Sequence, residues 1–175
     1  MTKQNGGKQK KGPAKTKIKL DMPEAHGDLE VVRRALDRLN LNPQKVGGID
    51  AYVVDVDDEL LEGALAQVLP AEYRFVFYID FKEKVTSEAR RDVAEFIARV
   101  NYGMIVGNFE LDFEDGTVRF KTSIDYEGDE LTEALVRNMV LAASGGTKPF
   151  GTELINVMRK SKSPVEAVAD AEAAL

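Results

Sequence analysis

Residues 72–81, EYRFVFYIDF, have the clearest strand pattern of the chain. Every second residue from Tyr73 to Phe81 is aromatic or isoleucine, which is the period of a β-strand with one face in a hydrophobic core. Val76 and Tyr78 make the other face partly apolar, so we predict a central strand that is covered on both faces. Burial within the monomer is the commoner cause of such a stripe. The alternative is a surface that binds a protein partner through Val76 and Tyr78.

Three elements are predicted upstream of this strand. The apolar residues of positions 28–40 recur at steps of three and four, which predicts an amphipathic helix with Asp28 as its N-cap. Residues 51–56 read as a short strand. The apolar residues of positions 59–69 repeat every four residues, which predicts a short helix that ends at Pro70.

Downstream, a helix is predicted to begin at Thr86 or Ser87 and to end near residue 103. A β-hairpin follows, with Asp115-Gly116 as its two-residue turn. That turn would place four pairs opposite one another across the hairpin: Phe113 and Val118, Leu111 and Phe120, Asp112 and Arg119, Glu110 and Lys121.

The last long helix is predicted to begin at Thr132, with Leu131 and Val136 as a hydrophobic staple. Two adjacent glycines, residues 145–146, and Pro149 are expected to interrupt it. Residues 161–175 are predicted to form a flexible, alanine-rich, acidic tail. This order of elements predicts an α+β fold with helices packed on an antiparallel sheet.

Length and composition set the class of protein. A chain of 175 residues suits one domain with tails and can bury a sizeable core. It contains no cysteine, which excludes disulfides, thiolate zinc sites and cysteine nucleophiles, and favours a reducing compartment. We therefore expect a cytoplasmic protein, with no secretory signal and no membrane partner.

The N-terminal segment differs in charge from the rest of the chain. Residues 1–19 hold seven lysines and no acid; the whole chain carries −6, which leaves −13 for the remainder. Residues 1–25 are therefore predicted to be a disordered arm, before a domain over residues 26–160. The arm is either solubilising or an electrostatic contact for nucleic acid or for an acidic protein face. The first is favoured, because the acidic body would repel phosphate and the arm has no aromatic residue to stack on bases.

The sequence offers no catalytic constellation. His26 is the only histidine and lies in a polar, glycine-flanked segment. The acidic run at residues 55–59 lacks the glycine of a calcium loop, and residues 144–148 lack the spacing of a phosphate loop. Asp112 and Glu114 are better explained by a ladder of charges than by an acid and base couple. We therefore expect no enzyme, no cofactor and no metal.

Two runs carry a family resemblance: VGNFELD at residues 106–112 and GTVRFKTSID at residues 116–125. They resemble the signature of the YbjN-like family of bacterial proteins, and SPVEA at residues 163–167 is similar to that family's end. The resemblance implies a sensory transduction regulator with a type III secretion chaperone-like fold, the fold of small acidic homodimers that hold a partner polypeptide in extended form. The lysine-rich arm and Gly145-Gly146 depart from the family pattern.

The predicted function is a non-catalytic protein-binding module, chaperone-like or regulatory, that works as a homodimer. Val76 and Tyr78 are the predicted partner-binding residues. The predicted dimer interface is Ile97, Val100, Tyr102 and Met104. The alternative is a nucleic-acid-associated factor that acts through the N-terminal lysines.

Overall fold

The computed structural model describes residues 27–175, so the predicted arm and His26 lie outside the described residues. The elements in chain order are α1 (Asp28–Arg38), β1 (Gln44–Lys45), β2 (Ala51–Val54), β3 (Leu61–Leu69), β4 (Arg74–Phe81), α2 (Arg90–Gly103), β5 (Asn108–Leu111), β6 (Val118–Asp125), α3 (Glu133–Met158) and α4 (Pro164–Ala173). The predicted α+β class, with helices on an antiparallel sheet, is confirmed.

The sheet has the order β1-β2-β3-β4-β6-β5, and every neighbouring pair is antiparallel. As predicted, β4 lies inside the sheet, between β3 and β6. Its alternating residues from Phe75 to Phe81 are buried in the hydrophobic core, together with residues of the helices. The core therefore lies on one face of the sheet, where α3 packs on β4 and β6.

Residues 61–69 form a strand, β3, so the predicted helix over residues 59–69 is wrong. The register between β3 and β4 shifts between Leu61 and Gly63, because Glu62 is inserted as a β-bulge. The bulge changes which residues face the core: Leu61 and Ala64 are both buried although their positions differ in parity. Because of the bulge, two buried residues lie three positions apart, as they would on one face of a helix.

The β5–β6 hairpin has a longer connection than predicted. Leu111 pairs with Val118 and Glu110 with Arg119, so the predicted register is wrong by two residues. Side chains stabilise the longer loop: the carboxylate of Asp112 accepts a hydrogen bond from the Glu114 amide at 2.7 Å, and that of Asp115 accepts one from the Thr117 amide at 2.9 Å.

The helix α3 is continuous from Glu133 to Met158, so the predicted break is wrong. Thr132 caps it as predicted, since its side chain accepts a hydrogen bond from the Leu135 amide. Packing explains why a glycine stands at position 146 inside the helix. A Cβ atom on Gly146 would lie 2.4 Å from Cζ of Phe120. Gly146 therefore lets a fully buried ring approach the helix backbone.

Residues 164–173 form a fourth helix, α4, so the predicted flexible tail is wrong for this segment. Ser163 and Glu166 form a capping box at its start, and Pro164 occupies the first turn. Ala167 and Ala171 are buried, and the helix packs on α2 and α3. The small alanine side chains allow this close packing although they give only a weak apolar signal.

Two predicted helix caps are also wrong. Gly27, not Asp28, is the N-cap of α1, and Ala89 precedes α2 without a side-chain cap. The Asp28 carboxylate instead accepts a hydrogen bond from the Tyr126 hydroxyl at 2.6 Å. This bond joins the start of α1 to the segment that follows β6.

The two central glycines of α3 provide a matched test of this packing. A Cβ atom on Gly145 would meet nothing within 4 Å, so Gly145→Ala should raise the free energy of unfolding by about 1 kcal/mol through helix propensity. Gly146→Ala should lower it by roughly 1–3 kcal/mol, because Phe120 is fully buried and cannot yield freely. Urea unfolding followed by circular dichroism measures both. Equal stabilisation by the two substitutions would contradict the proposed contact.

Candidate functional site: the open face of the sheet

Among residues 27–175, the core and the helices packed on it lie on one face of the sheet. The other face we call the open face, and its central residues are Val53, Leu65, Val76, Tyr78 and Arg119. These residues follow from the register, because each lies one position away from a residue that is buried in the core.

Three apolar side chains of the open face lie in one row across three strands. Val53 of β2 pairs with Leu65 of β3, and Leu65 pairs with Tyr78 of β4. Val53 is 42 % exposed, whereas Leu65 and Tyr78 are half-buried. This apolar row, which we also call the strip, forms a continuous surface that a partner on this face of the sheet would contact.

The two predicted partner-binding residues differ in accessibility. Val76 is only 6 % exposed, although it is not part of the core cluster. It is flanked across the sheet by Gln67 and Ser123. Tyr78 is more accessible, so the strip offers Tyr78 to a partner more directly than Val76.

A charged cluster borders the strip on the β6 side. The Arg119 guanidinium lies over the Tyr78 ring, 4.1 Å from the ring centroid. Arg119 also donates a hydrogen bond of 2.8 Å to Glu110, which is paired with Lys121 as well. Partial burial opposes ionisation of Glu110, but the hydrogen bonds from Lys121 and Arg119 outweigh it and lower its pKa.

Asp80 is the acid on the β4 side of this cluster, opposite Arg119 in the register. Burial raises the pKa of its carboxyl group above the usual range; attraction to Arg119 opposes the shift and repulsion by Glu62 adds to it. Its negative charge therefore destabilises the folded protein at neutral pH.

The end of α2 carries a second exposed apolar patch. Of the predicted dimer residues, Ile97 and Val100 are buried in the monomer's own core and Met104 is half-buried. Tyr102 is 95 % exposed and the neighbouring Ile105 is 99 % exposed. Ile105 is not among the predicted residues, although it stands only two positions after Gly103, the last residue of α2.

The described residues hold no group of three or more His, Cys, Asp or Glu side chains arranged to bind a metal. Asp112 and Asp115 use their carboxylates to stabilise the hairpin loop, and Glu114 is exposed there. Within residues 27–175, no helix combines the length and hydropathy needed to cross a membrane.

Comparisons with known proteins identify relatives of this fold. The YbjN family model, described as "Putative bacterial sensory transduction regulator", matches residues 28–156. The crystal structure of YbjN from E. coli is similar with a TM-score of 0.56 and 13% sequence identity, over 76% of this chain and 90% of that chain. A chain of the ExsC–ExsE complex is more distant, with a TM-score of 0.45 and 15% identity, over 67% of this chain and 85% of that chain. No curated protein matched the sequence.

The raised pKa of Asp80 predicts a pH-dependent effect of Asp80→Asn. Its folded-state pKa lies above its unfolded value, so the stability gained from protonation is present at low pH and is lost as the pH rises through the folded pKa. At pH 7, Asp80→Asn should therefore raise the free energy of unfolding, by less than about 1 kcal/mol because the side chain is partly solvated. The gain should vanish near pH 3 to 4, roughly where an unperturbed Asp is protonated.

Urea unfolding at a series of pH values measures this difference. Asp57→Asn is the matched control, since Asp57 is an exposed aspartate outside the cluster. A gain at pH 7 that persists unchanged in acid would show that removal of the Asp80 charge is not its cause.

Proposed function

The chain belongs to the YbjN family, and from this premise we propose that it is a non-catalytic protein-binding module, regulatory or chaperone-like, that acts as a homodimer. The observation that carries the proposal is the apolar row of Val53, Leu65 and Tyr78 on the open face. The family description of a sensory transduction regulator supports a binding role.

The open face has the composition of a binding surface. Tyrosine and arginine are, with tryptophan, the residues enriched among those that dominate binding energy, and here Tyr78 and Arg119 are stacked together. Apolar side chains of β2 and β3 continue the surface, and the charged cluster around Glu110 borders it. An apolar centre with a polar rim is the usual anatomy of a protein–protein interface. The partner is therefore expected to contribute an apolar surface of its own.

The charged groups of this face support binding rather than catalysis. Glu110 is held between two cations, and hydrogen bonds from both lower its pKa. A general base works best with a pKa near the operating pH, so this carboxylate has moved away from that range. Its role is to hold Arg119 in place over Tyr78.

Substitution on the open face should release the partner. Val53→Asp places a charge in the apolar row, and we expect capture of the partner by the tagged full chain from its native cell lysate to fall at least roughly tenfold. Val165→Asp is the matched control: Val165 is 53 % exposed but lies on α4. Quantitative mass spectrometry of the captured proteins provides the measurement.

Tyr78→Asp provides a second, independent variant, and thermal unfolding of each variant separates loss of binding from loss of folding. Unchanged capture of all partners by both folded open-face variants would refute this surface. Equal loss in the Val165→Asp control would show that the effect does not belong to the open face.

The proposed homodimer uses the exposed end of α2. Tyr102 and Met104 are the predicted contacts, and Ile105 extends their apolar surface. Ile97 and Val100 support this segment from inside the core, so their contribution would be to position α2. An exposed tyrosine beside an exposed isoleucine is the pattern of an interface centre.

Mass in solution tests the homodimer. The wild-type chain is expected to show twice the chain mass of 19.3 kDa by light scattering, whereas Tyr102→Asp should shift the mass toward that of one chain because it buries a charge at the interface. Leu141→Asp is the control, since Leu141 is 54 % exposed on α3. A wild-type mass of one chain at high concentration would refute the dimer.

Two further expectations, on nucleic-acid binding and on cellular location, rest on the sequence alone. Nucleic-acid binding through the N-terminal lysines stays the alternative prediction, because residues 1–26 lie outside the described residues. The cytoplasmic location stays a prediction from the absence of cysteine.

A further inference from the structure

A pocket of about 190 Å³ lies between α3 and strands β2–β4, on the face of the sheet opposite the open face. Buried apolar residues from both layers line it: Val54, Ala64, Phe77, Ile79 and Val140. The buried Thr147 also lines it, and its hydroxyl donates a hydrogen bond to the Ala143 carbonyl within α3. Its shape and lining suit a compact apolar group. A cavity of about 150 Å³ is enough to take up benzene, so a leucine side chain fits this one.

The rim of the pocket is acidic. Three exposed aspartates, Asp55, Asp57 and Asp58, face one exposed lysine, Lys148, among the lining residues. The rim therefore carries an excess of negative charge, and an apolar group that enters would be favoured by positive charge beside it. The pocket and its rim together specify a large apolar side chain with cationic neighbours.

The chain itself contains such a segment. Residues 16–22 read TKIKLDM, so Leu20 follows Lys19 and has Lys17 three residues before it, while Asp21, the one acid of these seven residues, comes after it. Ile18, Leu20 and Met22 are the only large apolar residues between positions 2 and 26. We propose that this segment of the same chain docks at the pocket, with the Leu20 side chain inside and Lys17 and Lys19 against the aspartates of the rim.

The length of the chain permits this docking. Leu41, which follows α1, lines the pocket, so Gly27 at the other end of α1 lies about one helix length away. A helix of 11 residues is about 16 Å long. The seven Cα-to-Cα steps from Leu20 to Gly27 span up to about 23 Å when the chain is extended. Leu20 therefore reaches the pocket without any movement of the folded body.

In this arrangement Lys17 and Lys19 neutralise part of the negative charge of the β2–β3 connection. Leu20 fills the apolar pocket, which is open to solvent in residues 27–175. The interaction does not depend on the proposed function, because the two sites lie on opposite faces of the sheet. High salt should weaken it, since the Debye length falls from about 10 Å at 0.1 M to about 3 Å at 1 M.

A spin label on the full chain tests the docking. The chain has no cysteine, so Thr16→Cys carries a single nitroxide beside the segment without changing its charge. We expect the methyl NMR signals of Val54, Val56 and Val140 to lose intensity relative to the reduced label. The methyl signal of Ala171 on α4, which is not among the pocket residues, should keep its intensity. Dilution with chain that carries no nitroxide and contributes no NMR signal should leave the intensity loss unchanged, because the contact lies within one chain.

Two variants complete the experiment. Leu20→Ser in the labelled chain should restore the pocket signals, and the triple variant Asp55→Asn, Asp57→Asn, Asp58→Asn should restore them in part. An absence of intensity loss, or a loss that survives Leu20→Ser, would overturn the proposal. A loss that disappears on dilution would assign the docking to a second copy and would overturn the claim that the segment binds its own chain.

Discussion

The aromatic stripe of β4 is buried beneath α3, and this burial determines on which face of the sheet the helices lie. Phe75 and Phe77 need cover on one face of the sheet and are buried there in one core with α3. Gly146 lets Phe120 of the neighbouring strand β6 approach the backbone of the same helix. With the helices committed to that face, the apolar residues of the opposite face are left without a helix among residues 27–175. Because the aromatic residues are buried on one face of the sheet, the apolar residues of the other face stay available to a partner.

The elements that the sequence predicted well are those whose signal is local and regular. Aromatic residues or isoleucine occupy every second position of residues 75–81, and all four are buried. Thr132 caps its helix through a contact three residues away. Two of the failures, β3 and the unbroken α3, involve contacts between distant segments. Glu62 is a bulge only because β4 lies beside it. Likewise, Gly146 is tolerated in a helix only because Phe120 packs there, and no pattern of spacing within α3 shows this.

The candidate site was predictable to a similar extent. Tyr78 could be identified because its own strand places it opposite the buried stripe. Val53 and Leu65 could not, because their alignment with Tyr78 depends on the register of three strands, and β3 was predicted to be a helix. The dimer residues show the opposite error: the apolar stripe of α2 that contains Ile97 and Val100 serves the monomer's core, and only the segment after it is exposed.

One strand supports both proposed sites, since Phe77 and Ile79 line the pocket while Tyr78, between them, belongs to the open face. A ligand in the pocket could influence the open face only by displacing β4. That strand is paired along its length with β3 and β6, so displacement would break hydrogen bonds on both sides. An apolar side chain that enters an existing pocket supplies no contact that would offset such a loss. The two sites are therefore expected to bind independently, although a single residue separates them in the sequence.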